Sequence, residues 1–165
     1  MCRLPSSSIP SRKKISGCGT ARATRKSAQR LPALTDPTLL LDTHAFAWWL
    51  TDSVLLGRNA RAAIAAPESR VLVSVASIWE MALKYGRGRW PEIAAVVADP
   101  GGKIAGEGMI ALPISLEHAR AAGLLDWRHR DPFDRMLAAQ AIVEGAVLVT
   151  ADRAFGDLPL ATLWE

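Results

Sequence analysis

From Thr38 onward the apolar residues fall into two kinds of run. Thr38-Leu-Leu-Leu-Asp42, Val71-Leu-Val-Ser74, Met109–Leu112 and Val147-Leu-Val-Thr150 are short and continuous, the pattern of strands covered on both faces. Leu163-Trp164 adds a short edge strand. Between these runs the apolar spacing turns helical at His44–Leu50, at Asn59–Ala65 (closed by Pro67) and at Ile78–Tyr85, which ends before Gly86. Further helices are predicted over Leu116–Gly123, with Ser115 as N-cap, and over Pro132–Glu144, the longest. Pro91–Asp99 reads as helical, Pro100-Gly-Gly as a turn, and a helical turn is expected near Ala154, while Lys103–Gly108 carries no clear signal. Strands alternating with helices, without internal repeats, predict an α/β sandwich with a mainly parallel central sheet.

Charge divides the chain at the same place. The 165 residues carry 20 Lys+Arg and 16 Asp+Glu, a formal net charge of +4. Residues 1–35 hold eight of the basic residues and no acidic one, so residues 36–165 are net −4. The partition is therefore an extension over 1–36 and one domain over 37–165, a length suited to a single core. Ser-, Arg- and Pro-rich composition without aliphatic clusters predicts a disordered, solvated extension, which an upstream misassigned start codon would also produce. A phosphate-binding arm and an organellar transit peptide share that composition. No window offers the ~20 apolar residues of a membrane span, and the extension lacks the apolar core of a secretory signal. Cys2 and Cys18 both precede the domain, which excludes a disulfide scaffold there and fits a reducing, cytoplasmic compartment.

Four acids stand where an α/β sheet does chemistry. Asp42 directly follows the first strand and Asp152 lies two residues beyond Thr150. Ligands of open parallel sheets bind outside the carboxyl ends of strands. Asp131-Pro132-Phe133-Asp134 puts an aspartate at an N-cap, proline at N1 and a second aspartate at N3. Ser77-Ile-Trp-Glu80 has the spacing of a capping box, and Lys84 follows Glu80 at the favourable i,i+4 distance. Each acid alone is explained by capping or by the helix dipole. Four on one edge repel unless cations neutralise them, and oxygen donors suit Mg²⁺ or Mn²⁺.

The residues around these acids resemble PIN-domain ribonucleases, in particular toxins of the VapC family. The resemblance rests on Leu-Leu-Leu-Asp42-Thr-His-Ala-Phe-Ala-Trp-Trp, Ser77-Ile-Trp-Glu80-Met-Ala-Leu-Lys84 and Leu-Pro113-Ile-Ser with Glu117-His-Ala. It is strongest in His129-Arg-Asp-Pro-Phe-Asp134-Arg-Met-Leu-Ala-Ala-Gln140-Ala, followed by Leu-Val-Thr150-Ala-Asp152, and it runs from about Thr38 to Trp164. It implies a PIN-like α/β/α sandwich and a metal-dependent endoribonuclease that is the toxin of a type II toxin–antitoxin pair. Asp42, Glu80, Asp134 and Asp152 fall on the family's acidic cluster, with Mg²⁺ or Mn²⁺ as cofactor. Asp42 and Asp134 would be primary ligands, and Asp152 and Glu80 would bind directly or through water. Thr43 and Thr150 would orient the carboxylates. Water activated at the metal would hydrolyse RNA phosphodiesters and leave a 5′-phosphate and a 3′-hydroxyl. A cognate antitoxin, an RNA substrate and a homodimer are the partners implied.

With a net-negative domain, RNA must be attracted locally, and Lys84, His129, Arg130 and Arg135 are the candidates nearest the motifs. Trp48, Trp49 and Trp79 lie in apolar helical blocks and are expected in the core, whereas Trp90 and Trp127 are better placed to stack on bases. His44 and His118 read as packing or helix-surface residues. Two alternatives stand beside the nuclease. An aspartyl phosphotransfer domain would use Asp42 as nucleophile, but His44 occupies the position of its second aspartate. A catalytically silent RNA- or protein-binding module would not need the intact quartet.

Overall fold

The computed structural model describes residues 37–165, and the expectations attached to the basic extension lie outside them. β1 (Thr38–Leu41) runs at the centre of the sheet. Its leucines alternate between two cores, as the two-residue period of a strand requires. Leu39 and Leu41 join Phe46, Val73, Met81 and Val149 on one side. Leu40 joins Leu72, Leu137, Leu148 and Phe155 on the other. A strand covered on both faces has no room for polar residues until it ends, and there Asp42 begins.

β2 (Arg70–Ser74), β3 (Ile110–Leu112), β4 (Val147–Val149) and β5 (Thr162–Leu163) complete a five-stranded sheet of order β3-β2-β1-β4-β5. Every neighbouring pair is parallel. The chain builds outward from β1 through β2 to β3, then returns to place β4 on the other side of β1. That reversal is a topological switch point, where open α/β sheets bind their ligands. The register sets Leu41 opposite Val149, and the Asp42 N–H donates to the Val149 carbonyl at 3.1 Å.

The described residues form seven α-helices: α1 (Thr43–Leu50), α2 (Arg58–Ala65), α3 (Val75–Gly86), α4 (Ala94–Ala98), α5 (Pro100–Gly106), α6 (Leu116–Leu124) and α7 (Pro132–Glu144). They flank the sheet as the expected α/β/α sandwich. Short 3₁₀ turns lie at Pro91–Ile93 and Arg153–Asp157. α7 keeps its predicted bounds because both ends carry strong signals. Asp131 accepts from the Phe133 N–H at 2.8 Å, and Gly145 ends the helix at φ 62°, where a Cβ would be strained. None of the described helices is long and apolar enough to cross a membrane.

Three expectations are corrected. Pro100-Gly-Gly is the first turn of α5, with the Asp99 carboxylate accepting from the Gly102 N–H at 2.9 Å. Ser77 caps nothing, because α3 starts at Val75 directly from β2 and Ser74 is its cap. The Ser74 hydroxyl accepts from the Ala76 N–H at 3.0 Å and donates to buried Gln140 at 2.6 Å, tying the end of β2 to α7. Trp79 is 56% exposed rather than in the core, meeting Phe133 edge-on at 4.9 Å.

Candidate active site

Each acid reaches the switch point by a different local route. Asp42 ends β1 and is also the N-cap of α1, its carboxylate accepting from the Ala45 N–H at 2.7 Å. Glu80 lies in α3, deeper in the helix than its capping-box reading, so the helix dipole does little for it. Asp134 sits in the first turn of α7 behind the Asp131 cap. Asp152 follows β4 and caps the 3₁₀ turn, accepting from the Ala154 N–H at 2.8 Å. All four line one cavity of about 200 Å³, together with Asp131, Thr43, His44, Lys84, Leu137 and Phe155.

Burial sets the electrostatics. Asp42 is 9% exposed, and burial raises its carboxyl above the ordinary aspartate value against the lowering pull of Thr150, the Ala45 N–H and His44. Burial also raises Asp134, with the charges of Asp131 and Glu80 adding to it and the bond from His129 opposing it. Basic groups already hold some of this charge. Lys84 Nζ lies 2.7 Å from Glu80 Oε1, and the Thr43 hydroxyl donates to Glu80 Oε2 at 2.6 Å. His129 Nε2 lies 2.6 Å from Asp134 Oδ2, its ring stacked on Trp127 with centroids 4.6 Å apart.

Thr43 and Thr150 both touch the site. Thr150 lies beneath Asp152, accepting from its N–H at 3.0 Å, and bears on the Asp42 carboxylate. The RNA-contact candidates separate. Lys84 and His129 are in the cavity wall or hydrogen-bonded to it, and Arg130 is exposed. Arg135 is engaged with the protein's own backbone. Its guanidinium donates to the carbonyls of Ala122, Leu125, Trp127 and His129 at 3.1, 2.6, 2.8 and 3.2 Å, securing the loop between α6 and α7. Arg135→Ala is expected to cost about 2–3 kcal/mol in urea unfolding, because it leaves several half-buried carbonyls unpaired. Unchanged stability would return Arg135 to the substrate-facing set.

His44 and Asp131 were not placed in this site by spacing alone, yet both line it. For His44 the available signal was its position two residues after Asp42, in the first turn of α1. His118, by contrast, is buried and distant in role, completing a capping box with Ser115 and meeting Glu144 at 3.0 Å.

A family model described as the PIN domain matches residues 39–160, most of the chain and every acid of the cavity. The chain belongs to the PIN domain family. Among solved structures, this PIN domain is similar to VapBC2 from Rickettsia felis, bound to a DNA fragment from its promoter. That match has 17% identity and a TM-score of 0.58, covering 78% of this chain and 99% of the other. It is also similar to a toxin–antitoxin complex from Klebsiella pneumoniae, at 16% identity and a TM-score of 0.54, covering 76% and 95%. At these identities the likeness is one of fold. Comparison with curated protein sequences finds no match.

The oxygen donors of this PIN domain suit a hard divalent ion in kind and in charge: carboxylates from four chain segments around one small cavity. They do not converge as they stand. Among the described residues no three His, Cys, Asp or Glu side chains form a ready ligand group, with Glu80 held by Lys84 and Asp134 by His129. To bind an ion, those two carboxylates would share their oxygens with these basic partners or reorient from them.

Proposed function

We propose that this PIN domain is a Mg²⁺- or Mn²⁺-dependent endoribonuclease and the toxin of a type II toxin–antitoxin pair. The observation that carries the reading is the meeting of Asp42, Glu80, Asp134 and Asp152 around one cavity at the switch point of the sheet. Such an arrangement works against folding, since buried like charges raise one another's pKa and cost stability. A catalytic use of the charge explains why the fold tolerates it.

Asp42 and Asp134 would hold the metal directly, with Asp152 and Glu80 binding directly or through water. A bound divalent ion supplies Lewis acidity toward phosphate oxygen and lowers the pKa of water. The side chains do the rest. The Ala45 N–H and Thr150 keep the Asp42 carboxylate aimed, and the Thr43 hydroxyl fixes one oxygen of Glu80. Lys84 neutralises Glu80 and brings positive charge to the mouth where a phosphodiester would approach. Both structures similar in fold come from toxin–antitoxin pairs, which supports an antitoxin as the controlling partner.

The test is incubation of the purified full chain with 5′-labelled single-stranded RNA in Mg²⁺, in Mn²⁺ and in excess EDTA. Cleavage in either metal, with 5′-phosphate and 3′-hydroxyl ends and none in EDTA, is the expected result. Cleavage that persists in EDTA would overturn the metal mechanism. Binding without cleavage in any metal would favour a silent RNA-binding module, a reading to which the Lys84 and His129 contacts also lend weight.

A further inference from the structure

The carboxylate cavity has a neighbour of opposite character. His44, Trp48, Lys84, Arg89 and Trp90 line a second cavity of about 380 Å³, within the usual size range of small-ligand sites. The two share His44 and Lys84 as walls. On one side stand five carboxylates, those of Asp42, Glu80, Asp131, Asp134 and Asp152. On the other there is none, only two indoles, an imidazole and two basic side chains.

This second cavity is built by the same helices one turn farther out. α1 carries His44 and Trp48, and α3 carries Glu80 and Lys84, each pair four residues apart and so on one helical face. After α3 the chain doubles back through Gly88, at φ 68°, a left-handed turn that glycine adopts without strain. The Arg89 N–H then donates to the Lys84 carbonyl at 3.0 Å. That fold-back sets Trp90 against His44, centroids 5.1 Å apart and planes 27° apart, with Lys84 Nζ 5.2 Å from the centre of the Trp90 ring. Trp48 closes the side, 5.6 Å from His44.

We propose that this cavity is a nucleotide subsite, holding the base and phosphate of a residue that flanks the scissile phosphodiester in single-stranded RNA. The inference rests on the ribonuclease reading above and adds where the strand runs. Aromatic faces accept an unpaired base, while Lys84 and Arg89 meet its phosphate. Arg89, with Lys84 shared between this cavity and Glu80, and the lack of a carboxylate in the lining select an anion over the cationic side chain of a protein partner. Because Lys84 belongs to both cavities, a phosphate drawn to it is delivered to the edge of the acidic one. A base-paired nucleotide has both faces covered by its neighbours and does not fit.

The experiment uses the full chain and a fluorescein-labelled single-stranded oligoribonucleotide in which one nucleotide at a time is abasic. Binding is read by anisotropy in Ca²⁺, a cation with the same preference for oxygen ligands. Wild-type protein should lose roughly ten- to hundredfold affinity when one particular position, adjacent to the cleaved bond, is abasic. Trp90→Ala should bind intact RNA that much more weakly and become insensitive to the abasic position, whereas Trp90→Phe should retain most of the sensitivity. Arg89→Ala, which leaves the aromatic contacts intact, should weaken binding several-fold and flatten the salt dependence. Lys103→Ala, at an exposed position of α5, controls for loss of net charge and should bind as wild type. An abasic penalty unchanged in Trp90→Ala, or equal losses in Arg89→Ala and Lys103→Ala, would overturn the subsite. Mg²⁺-dependent cleavage by the wild type is followed in parallel. Its absence would count against the ribonuclease reading, and its presence with an unchanged abasic penalty against the subsite alone.

Discussion

Asp42→Asn and Asp134→Asn are each expected to lower Mg²⁺-dependent RNA cleavage by at least about 10³-fold, the scale on which loss of one electrostatic stabiliser acts. Growth arrest on expression should disappear with it. The amide leaves the local structure in place. In Asp42→Asn the side chain keeps an oxygen to accept from the Ala45 N–H, so the α1 cap persists, whereas Asp42→Ala would also lose about 1 kcal/mol of capping. Neither amide carries the buried charge whose cost shows in the raised pKa of both parent acids. Thermal unfolding in EDTA should therefore give each amide variant a Tm equal to or above that of the wild type. Loss of cleavage without loss of stability separates a catalytic acid from a structural one. Full cleavage by Asp42→Asn would remove Asp42 from the mechanism and, with it, the assignment of the site.

A second large effect is expected from metal and pH together. Near saturation, at about a hundred times Kd, Mn²⁺ should add ~3 kcal/mol to folding stability, or about 10 °C in Tm for a domain of this size. EDTA should reverse it. The pH dependence has a definite sign. Folding raises the pKa of Asp42 and Asp134 above their ordinary value of 3.8. Such groups favour the folded state fully below that value, and their contribution is lost as the pH rises through the folded pKa. The metal-free protein thus loses this contribution on the way to neutrality. In the same window the carboxylates become available as ligands, so metal binding strengthens as protons leave. The Mn²⁺-induced shift in Tm should be small at about pH 4.5 and large at about pH 7.5, and reduced in Asp134→Asn. A shift equal at both pH values would mean that the ion binds elsewhere.

Sequence legibility followed the strength of local signals. β1 could be read from three consecutive leucines, a run short enough for a strand buried on both faces and bounded by Pro37 and Asp42. α7 was marked by Asp131-Pro132. The same Asp-Pro signal stands at Asp99-Pro100, where two glycines hid it, each costing ~1 kcal/mol in a helix. The Asp99 cap and burial of Ile104 offset that cost. Ser77 reads as the cap because its spacing to Glu80 fits a capping box, and only the direct passage from β2 into the helix transfers that role to Ser74. Asp42, Asp134 and Asp152 were legible from strand ends and a helix start, whereas the capping-box spacing that marked Glu80 does not describe its place within α3. Some partners were legible too: Lys84, four residues after Glu80, pairs with it at 2.7 Å, and Thr43 donates to the same carboxylate. Others were not. The His129 contact with Asp134 and the Arg135 contacts with four carbonyls depend on how the 125–131 loop folds back over α7, which no local pattern encodes.

Under the proposed function, the return of the chain to β1 also governs when the protein would become dangerous to the cell that makes it. Asp42 and Asp152 are 110 residues apart in sequence yet follow adjacent strands. A ribosome-bound chain that has emerged only through α6 carries Asp42 and Glu80 but neither Asp134 nor Asp152. Half a site has half the charge and no complete donor set. Activity under the proposed reading therefore switches on late in synthesis, when β4 slides in beside β1, and an antitoxin has the whole translation time of the domain in which to be present first.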